Sequence, residues 1–375
     1  MAYEYFLQAG ELGNGTAYGS LGDMYYSGKG VEQSDTLKFE YYKKAVENGA
    51  DKSYERGLGL CYLYGSGVEK NIELGLQWLQ SAGDKGDSNA LFNLGQVYRN
   101  GVYTEQDFEK AIAYYERAIE KGVGIACYDL GRMYEDGYGV PQDSAKAIEY
   151  YEKGIELGNG SSANQIGYMY DTGDGIEQDF VKAVEYYEKA IELGENVAAY
   201  NLAYMYLNGD GVEQNIAKAV EYYGISMELG YDRAARELGY MYYYGDGVEQ
   251  DYTKAITYFE KAVEMGNGSS ANQVASMYYN GVGVEQDYEK AIAYLERGIE
   301  LGSGASAGNL GVMYYNGTGV EQDYVKAVAY FEKGVELGDA KSADNLARMY
   351  ENGWGVEQNS ALAAEYSKIA EELSR

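Results

Sequence analysis

The sequence contains no histidine, one proline and two cysteines among its 375 residues. Without histidine the chain cannot build imidazole acid–base pairs, Ser-His nucleophiles or imidazole metal sites. A phosphate-binding Gly-Lys-Ser/Thr loop is also missing from the sequence. We therefore expect a protein that is not an enzyme and that needs no metal or cofactor.

Long apolar segments are missing as well, since no run approaches the ~20 residues that a membrane-spanning helix needs. Basic residues number 30 against 60 acidic ones, which leaves a net charge of −30. Such a field repels phosphate backbones and anionic lipid surfaces, so we expect neither nucleic acid nor a membrane as partner. A basic protein would be attracted. The alternative is that the charge only keeps a monomeric chain soluble.

Glycine and tyrosine are abundant, at 51 and 45 residues, and they follow a strict period. The anchor of this period is the motif Gly-Val-Glu-Gln, first seen at residues 30–33. Its Glu position recurs at Glu32, Glu69, Glu105, Glu177, Glu213, Glu249, Glu285, Glu321 and Glu357, with Pro141 in its place once. The first step is 37 residues and the other eight are 36. A period held along the whole chain predicts a single stacked array, residues 1–375, of about ten two-helix units.

The fifth repeat shows how one unit is expected to fold. Residues 163–171 have apolar side chains at helical spacing and predict a first helix, helix A. The turn 172–175 ends it. Asp179 is the predicted N-cap of a second helix, helix B, which runs to about Leu193 before Gly194. Residues 1–13 match only the end of a helix B, so we expect a half repeat there and a chain excised from a longer protein.

Three positions keep their character in every repeat. A tyrosine stands seven residues before the anchor, as in Tyr170, and an aromatic stands nine after it, as in Tyr186 or Trp78. Only glycine or alanine occurs three residues before the first tyrosine, as in Gly167. A small residue lets two helices approach closely while the aromatics fill the remaining space, so we interpret these positions as structural.

Several segments resemble the Sel1-like repeat: residues 182–190, 309–314, 343–350 and 353–359. The resemblance covers essentially the whole chain. It implies an all-α fold, a right-handed α/α superhelical solenoid related to tetratricopeptide arrays, and a role as adaptor or scaffold in protein complexes. The family commonly has proline where this chain has glutamate, and only Pro141 keeps it. The near-identical repeats raise the possibility of a consensus design, but the 37-residue step and the irregular turn at 102–104 favour a natural gene.

Some bacterial members of that family carry a disulfide in each repeat, which this chain cannot form. Cys61 and Cys127 lie in the second and fourth repeats, and stacked helices ~8–10 Å apart would separate them by roughly 20 Å. We therefore expect both thiols to be free. The cysteine-rich branch, to which penicillin binding has been attributed, is a poor guide here. The compartment is not determined, although free thiols favour a soluble protein of the cytoplasm.

Function is expected on helix A, which typically lines the concave surface of such arrays. Positions thirteen, nine and six residues before the anchor vary among the repeats and fall on one helical stripe. This stripe is rich in tyrosine and arginine, which dominate protein-binding hot spots. The candidate residues are Phe92, Tyr128, Arg132, Tyr168, Tyr200, Tyr204, Arg236, Tyr240, Tyr243, Tyr279 and Tyr315. We expect them to be exposed, with a continuous floor through repeats four to seven.

The leading hypothesis is a surface that holds a peptide or protein partner. The alternatives are a carbohydrate-binding surface, on which exposed tyrosines stack against sugar rings, and a structural spacer in a larger protein. Tyrosine could also fill exposed helix positions without any function. The Asp-Gly turns, such as residues 171–175, faintly resemble calcium loops but lack the alternating acids and the bidentate glutamate, so no calcium site is expected.

Overall fold

The computed structural model describes residues 2–374, which form 21 helices and no strand. The chain divides into two compact units, one ending at Leu193 and the other beginning at Gly194. The first unit contains α1 (Ala2–Glu11), α2 (Gly15–Ser27), α3 (Asp35–Glu47), α4 (Lys52–Tyr64), α5 (Ile72–Asp84), α6 (Ser88–Asn100), α7 (Phe108–Glu120), α8 (Gly124–Asp136), α9 (Ser144–Glu156), α10 (Gly160–Thr172) and α11 (Phe180–Glu192). The second unit contains α12 (Asn196–Asn208), α13 (Ile216–Glu228), α14 (Asp232–Tyr244), α15 (Tyr252–Glu264), α16 (Gly268–Asn280), α17 (Tyr288–Glu300), α18 (Gly304–Asn316), α19 (Tyr324–Glu336), α20 (Ala340–Asn352) and α21 (Ser360–Leu373).

Both units repeat one packing scheme. Each even-numbered helix, a helix A, packs against the odd-numbered helix B that follows it, as α4 does on α5 and α18 on α19. Within each unit a helix B also packs on the next helix A, as α9 does on α10 and α13 on α14, and some successive A helices touch, as in α8 with α10 and α16 with α18. The predicted all-α architecture of stacked two-helix repeats is thereby confirmed. None of the helices between residues 2 and 374 combines the length and the apolarity that crossing a bilayer requires.

The helix ends follow the local chemistry of the sequence. Asp179 is the N-cap of α11 as predicted, and its carboxylate accepts from the backbone amides of Val181 and Lys182. Helix α10 starts three residues before the predicted position 163, because the Asn159 side chain caps it by accepting from the Ser162 amide at 2.8 Å. It ends at Gly173, whose φ of 75° lies in the left-handed region that glycine occupies without strain.

The glutamine of the anchor motif holds the loop between the two helices. Gln178 Nε2 donates to the Asp171 carbonyl oxygen at 2.7 Å, and the Asp179 amide donates to the Tyr170 carbonyl oxygen at 2.9 Å. The same glutamine bond, spanning seven residues, occurs at Gln33, Gln106, Gln142, Gln214, Gln250, Gln286, Gln322 and Gln358. Because these bonds satisfy carbonyl groups at the C-terminal end of helix A, the glutamine of the motif fixes the loop between helix A and helix B.

The two recurring aromatics form a stacked pair in nearly every repeat. Tyr170 stacks on Tyr186 with ring centroids 5.9 Å apart, and Lys182 Nζ lies 4.8 Å from the centre of the Tyr170 ring. Near-parallel pairs of the same kind join residues 25 and 41, 98 and 114, 134 and 150, 206 and 222, 242 and 258, 278 and 294, 314 and 330, and 350 and 366. These tyrosines therefore pack the array, as the sequence predicted.

A second buried residue, ten positions after the anchor, faces the small residue of helix A. It is aromatic in most repeats, and Tyr115, Tyr151, Tyr187, Tyr223, Phe259 and Phe331 are all essentially inaccessible to solvent. At Gly239 a Cβ atom would lie 2.6 Å from two ring atoms of Phe259, which shows how closely α14 and α15 approach. The core of six repeats thus pairs a glycine of helix A with a buried ring of helix B. Cys61 and Cys127 are both free and buried.

Candidate partner-binding surface

The three variable positions lie along the A helices, and we call the set of these positions within one unit the helix A stripe of that unit. In the first unit the stripe holds four candidates: Phe92 on α6, Tyr128 and Arg132 on α8, and Tyr168 on α10. In the second unit it holds Tyr200 and Tyr204 on α12, Arg236, Tyr240 and Tyr243 on α14, Tyr279 on α16, and Tyr315 on α18.

Among the four candidates of the first unit, only Tyr168 is an open aromatic, with 44 % of its surface exposed. Phe92 and Tyr128 are half-buried, and their rings lie 5.8 and 5.9 Å from the buried rings of Tyr115 and Tyr151. The expectation of a fully exposed stripe is therefore wrong for these two residues, because the buried ring beneath each of them draws it into the core. Contact with an immobile ring also fixes their orientation.

Arg132 lies in a polar cleft of about 550 Å³ between α6 and α8. It pairs with Asp136 at 2.9 Å and approaches Glu135 at 3.8 Å, while Arg99 in the same cleft pairs with Asp129 at 3.2 Å. The cleft is lined by Arg99, Asn100, Tyr128, Asp129, Arg132, Met133, Asp136 and Tyr138. Because each arginine has an acidic partner within the chain, this cleft is not a concentrated site of positive charge.

Tyr204 is the most open candidate of the second unit, with 52 % of its surface exposed. Its neighbour on α12, Tyr200, is half-buried against two rings, those of Tyr223 at 5.3 Å and Tyr231 at 5.2 Å. Burial raises the pKa of the Tyr200 phenol, so this side chain stays neutral across the physiological range. One tyrosine of α12 is thus available for contact and the other is held in place.

The tyrosines of α14 form a connected cluster. Tyr240 packs on buried Phe259 at 5.0 Å, stacks on Tyr244 at 6.0 Å, and its hydroxyl accepts from Gln273 Nε2 at 2.9 Å. Tyr243 meets Tyr244 edge to face at 4.9 Å. Tyr244, which is 61 % exposed, belongs to this cluster although it is not among the residues predicted from the sequence. The sequence does distinguish this residue. The position five residues before the anchor is Asn, Asp, Ser or Thr in every repeat except at Tyr64 and Tyr244.

The remaining candidates also make ring contacts within the chain. Tyr279 lies 5.4 Å from Tyr288, and Tyr315 lies 5.4 Å from Tyr324 and 5.5 Å from Trp354. Arg236 is half-buried and pairs with the neighbouring Glu237 at 2.9 Å. The expectation of full exposure is therefore wrong for Tyr200, Arg236, Tyr240, Tyr243, Tyr279 and Tyr315, all of which are partly covered by packing partners. Within residues 2–374 no group of three or more acidic or cysteine side chains could hold a metal ion.

The Sel1 repeat family model matches eleven segments, which together take in nearly all of the chain: residues 1–14, 16–49, 54–87, 88–123, 124–159, 160–195, 196–231, 232–267, 268–303, 305–339 and 340–374. The chain belongs to the Sel1 repeat family. Most of the matched segments contain one helix A followed by its helix B, which is the unit seen in the structure. Sel1 repeat proteins are generally scaffolds for protein interaction.

Solved structures of other Sel1 repeat proteins resemble this chain. One is c5321, a protective antigen of uropathogenic Escherichia coli strains displaying an SLR fold, with 27 % identity, a TM-score of 0.53, and coverage of 99 % of this chain and 81 % of that one. Another is a Sel1 repeat protein from Oxalobacter formigenes, with 26 % identity, a TM-score of 0.61, and coverage of 82 % of this chain and 92 % of that one. A comparison with curated protein sequences finds no significant match.

Proposed function

We propose that this Sel1 repeat chain is a non-catalytic scaffold that holds a peptide or protein partner through the helix A stripe of each unit. The observation that carries the proposal is that some tyrosines of the stripes are held in place by packing while others are exposed. Tyr128, Tyr200 and Tyr240 are each held against a buried ring, whereas Tyr168 and Tyr204 stand open. Aromatics that are already ordered lose little entropy on binding, and exposed tyrosines offer a large contact area with a polar tip.

A basic partner segment is the best electrostatic match. The chain carries a net charge of −30, and the two candidate arginines of the stripe are paired with acidic neighbours, Arg132 with Asp136 and Arg236 with Glu237. A long-range negative field accelerates association with a cationic partner, and salt screens that field. Capture of the partner should therefore weaken as the ionic strength rises from about 0.05 to 0.5 M.

The test replaces the two open tyrosines, Tyr168→Ala and Tyr204→Ala, in one full-length variant. Because neither ring is buried, the melting temperature should stay within about 1 °C of the parent. Truncation of two hot-spot tyrosines should weaken partner binding by at least tenfold, since each costs roughly 1–2 kcal/mol and 1.4 kcal/mol is a factor of ten.

The matched control replaces the exposed apolar residues Val181 and Val325, which lie on B helices, with alanine. This control should bind the partner as the parent does. Equal partner binding by the tyrosine variant and the valine control would refute the proposal. The same proteins applied to a glycan array test the carbohydrate alternative, for which sugar binding that depends on Tyr168 and Tyr204 is the diagnostic result.

A further inference from the structure

A neutral cleft of about 250 Å³ opens on the helix A stripe of the second unit, between α16 and α18. Its floor is made of Ala275, Leu295 and Met313, all of which are otherwise buried. Val312, which is 36 % exposed, and Tyr279 form apolar parts of its wall. The cleft thus joins the exposed stripe to the core of the repeat.

The cleft is open because a pair of aromatic rings is missing there. In the preceding repeat Tyr240 packs on Phe259 and fills the equivalent space. The eighth repeat has Ser276 and Leu295 at those two positions. Asn272 likewise stands where the preceding repeat has Arg236. Three large side chains are replaced by smaller ones at positions that lie close together, and the space they would occupy is the cleft.

The lining carries no charge, although 24 % of the residues in the chain are charged. Its polar members are Ser276, Tyr279, Asn280 and Asn309. Asn280 Nδ2 donates to the Ser276 carbonyl oxygen at 2.9 Å, and Asn309 Nδ2 donates to Asn272 Oδ1 at 2.7 Å. A charged guest would lose hydration and meet no countercharge, whereas an uncharged guest meets apolar walls and amide oxygens that can accept a hydrogen bond.

The volume and the lining restrict the guest further. A cavity of ~150 Å³ accepts benzene, and sites for drug-sized molecules start at ~300 Å³, so this cleft fits a single large side chain. Aromatic side chains should bind in the cleft more tightly than aliphatic ones. An aromatic ring can pack against the edge or the face of the Tyr279 ring, and the Met313 thioether makes favourable contacts with rings. An indole fits best, because its N–H can donate to Asn280 or Asn309.

We propose that this cleft is an anchor pocket that receives one aromatic side chain, preferably tryptophan, from the partner segment bound on the stripe. The pocket rests on the proposed scaffold function and specifies the partner more closely: an uncharged aromatic anchor must lie within a segment that the acidic chain attracts. Charge complementarity identifies the occupant. The uncharged lining of the pocket favours an uncharged side chain, while the net charge of −30 attracts basic residues elsewhere in the same partner segment.

The experiment uses the full chain with ¹³C-labelled methionine methyl groups and N-acetyl-tryptophanamide as the probe. The Met313 resonance, assigned with Met313→Leu, should shift in a saturable manner with millimolar probe, as expected for a single side chain without its partner. Met133 lines the polar cleft of the first unit and should not shift. N-acetyl-lysinamide should leave Met313 unchanged. An unmoved Met313 resonance in the presence of the tryptophan probe would overturn the proposal.

A filled pocket provides the second arm. Ser276→Tyr introduces the residue that occurs at the same position as Tyr168, Tyr204 and Tyr240, so it is compatible with the repeat. The paired change Ala275→Gly with Leu295→Phe restores the arrangement of Gly239 with Phe259 and guards against a folding defect in the first variant. Both should abolish the Met313 shift, and a shift as large as in the parent would also overturn the proposal. Because the probe needs no partner, this result is independent of the tyrosine-dependent capture that tests the scaffold function.

Discussion

The pairing of a glycine on helix A with a buried ring on helix B makes a quantitative prediction at Gly239. A Cβ atom placed there would lie 2.6 Å from Cδ1 and Cε1 of Phe259, well inside van der Waals contact. Phe259 is only 1 % exposed and is wedged against Tyr240, so its ring has little room to move. Overpacking of this kind costs about 1–3 kcal/mol, and alanine returns about 1 kcal/mol through its higher helix propensity.

Gly239→Ala should therefore destabilise the protein by a net ~1 kcal/mol. The sixth repeat already places Ala203 in the same core cluster as Tyr223, so the structure can accommodate an alanine by a local shift, and the overpacking cost should be about 2 kcal/mol rather than the upper end of the range. If the second unit unfolds as one cooperative block, the melting temperature drops by about 2–4 °C. Differential scanning calorimetry on the full chain measures this.

Gly224→Ala is the matched control, because Gly224 also lies within a helix, α13, and a Cβ atom there meets no atom within 4 Å. This change should stabilise the protein by about 0.5–1 kcal/mol through helix propensity alone. The two glycine substitutions are thus expected to move the melting temperature in opposite directions. If both raise it, the close approach of Phe259 to Gly239 does not limit the packing of α14 on α15.

A double-mutant cycle isolates the contact. Phe259→Leu alone leaves a void beside Gly239 and should cost about 1–2 kcal/mol. Combined with Gly239→Ala it recreates the natural pair Ala275 and Leu295 of the next repeat. The double variant should then be about 1 kcal/mol more stable than the sum of the two single changes, and simple additivity would contradict a direct contact.

Three further predictions concern titration, reactivity and capping. Burial raises the pKa of Tyr115, Tyr151 and Tyr223 above the value of about 10 in the unfolded chain, so the stability that these rings contribute is retained below that pH and lost as the pH rises beyond it; the fraction of the tyrosinate absorbance that comes from these buried rings should appear together with the loss of helical circular dichroism, and ionisation of all tyrosines in a fully helical protein would contradict this. Burial raises the pKa of Cys127 to about 11, so a thiol reagent at neutral pH should react with it only at the rate of unfolding, and immediate labelling of the native protein would refute the burial. Asp179→Ala removes the N-cap of α11 and should cost about 1 kcal/mol in urea denaturation, whereas Asp174→Ala in the preceding exposed turn should have no measurable effect.

The period of the sequence, its caps and its recurring aromatics determine the fold by themselves. An N-cap such as Asp179 accepts from amides two and three residues away, and the glutamine hydrogen bond spans seven residues. Both can therefore be predicted from the local sequence. The stacked aromatics and the small residue opposite a ring recur in register with the anchor motif. Because each repeat contacts only its neighbours, the same local pattern of residues is sufficient to fold every repeat.

Exposure of the variable positions was decided by the tertiary structure. Tyr204 and Tyr240 occupy the same position in adjacent repeats, yet Tyr204 stands open while Tyr240 is covered by Phe259, Tyr244 and Gln273. Burial depends on the side chains that neighbouring helices bring to each position, and these vary independently of the period. The neutral cleft has the same origin, since its volume is set jointly by Ser276, Leu295 and Val312 from three different helices. Volume left between helices is a property of packed side chains, which no single position in the sequence encodes.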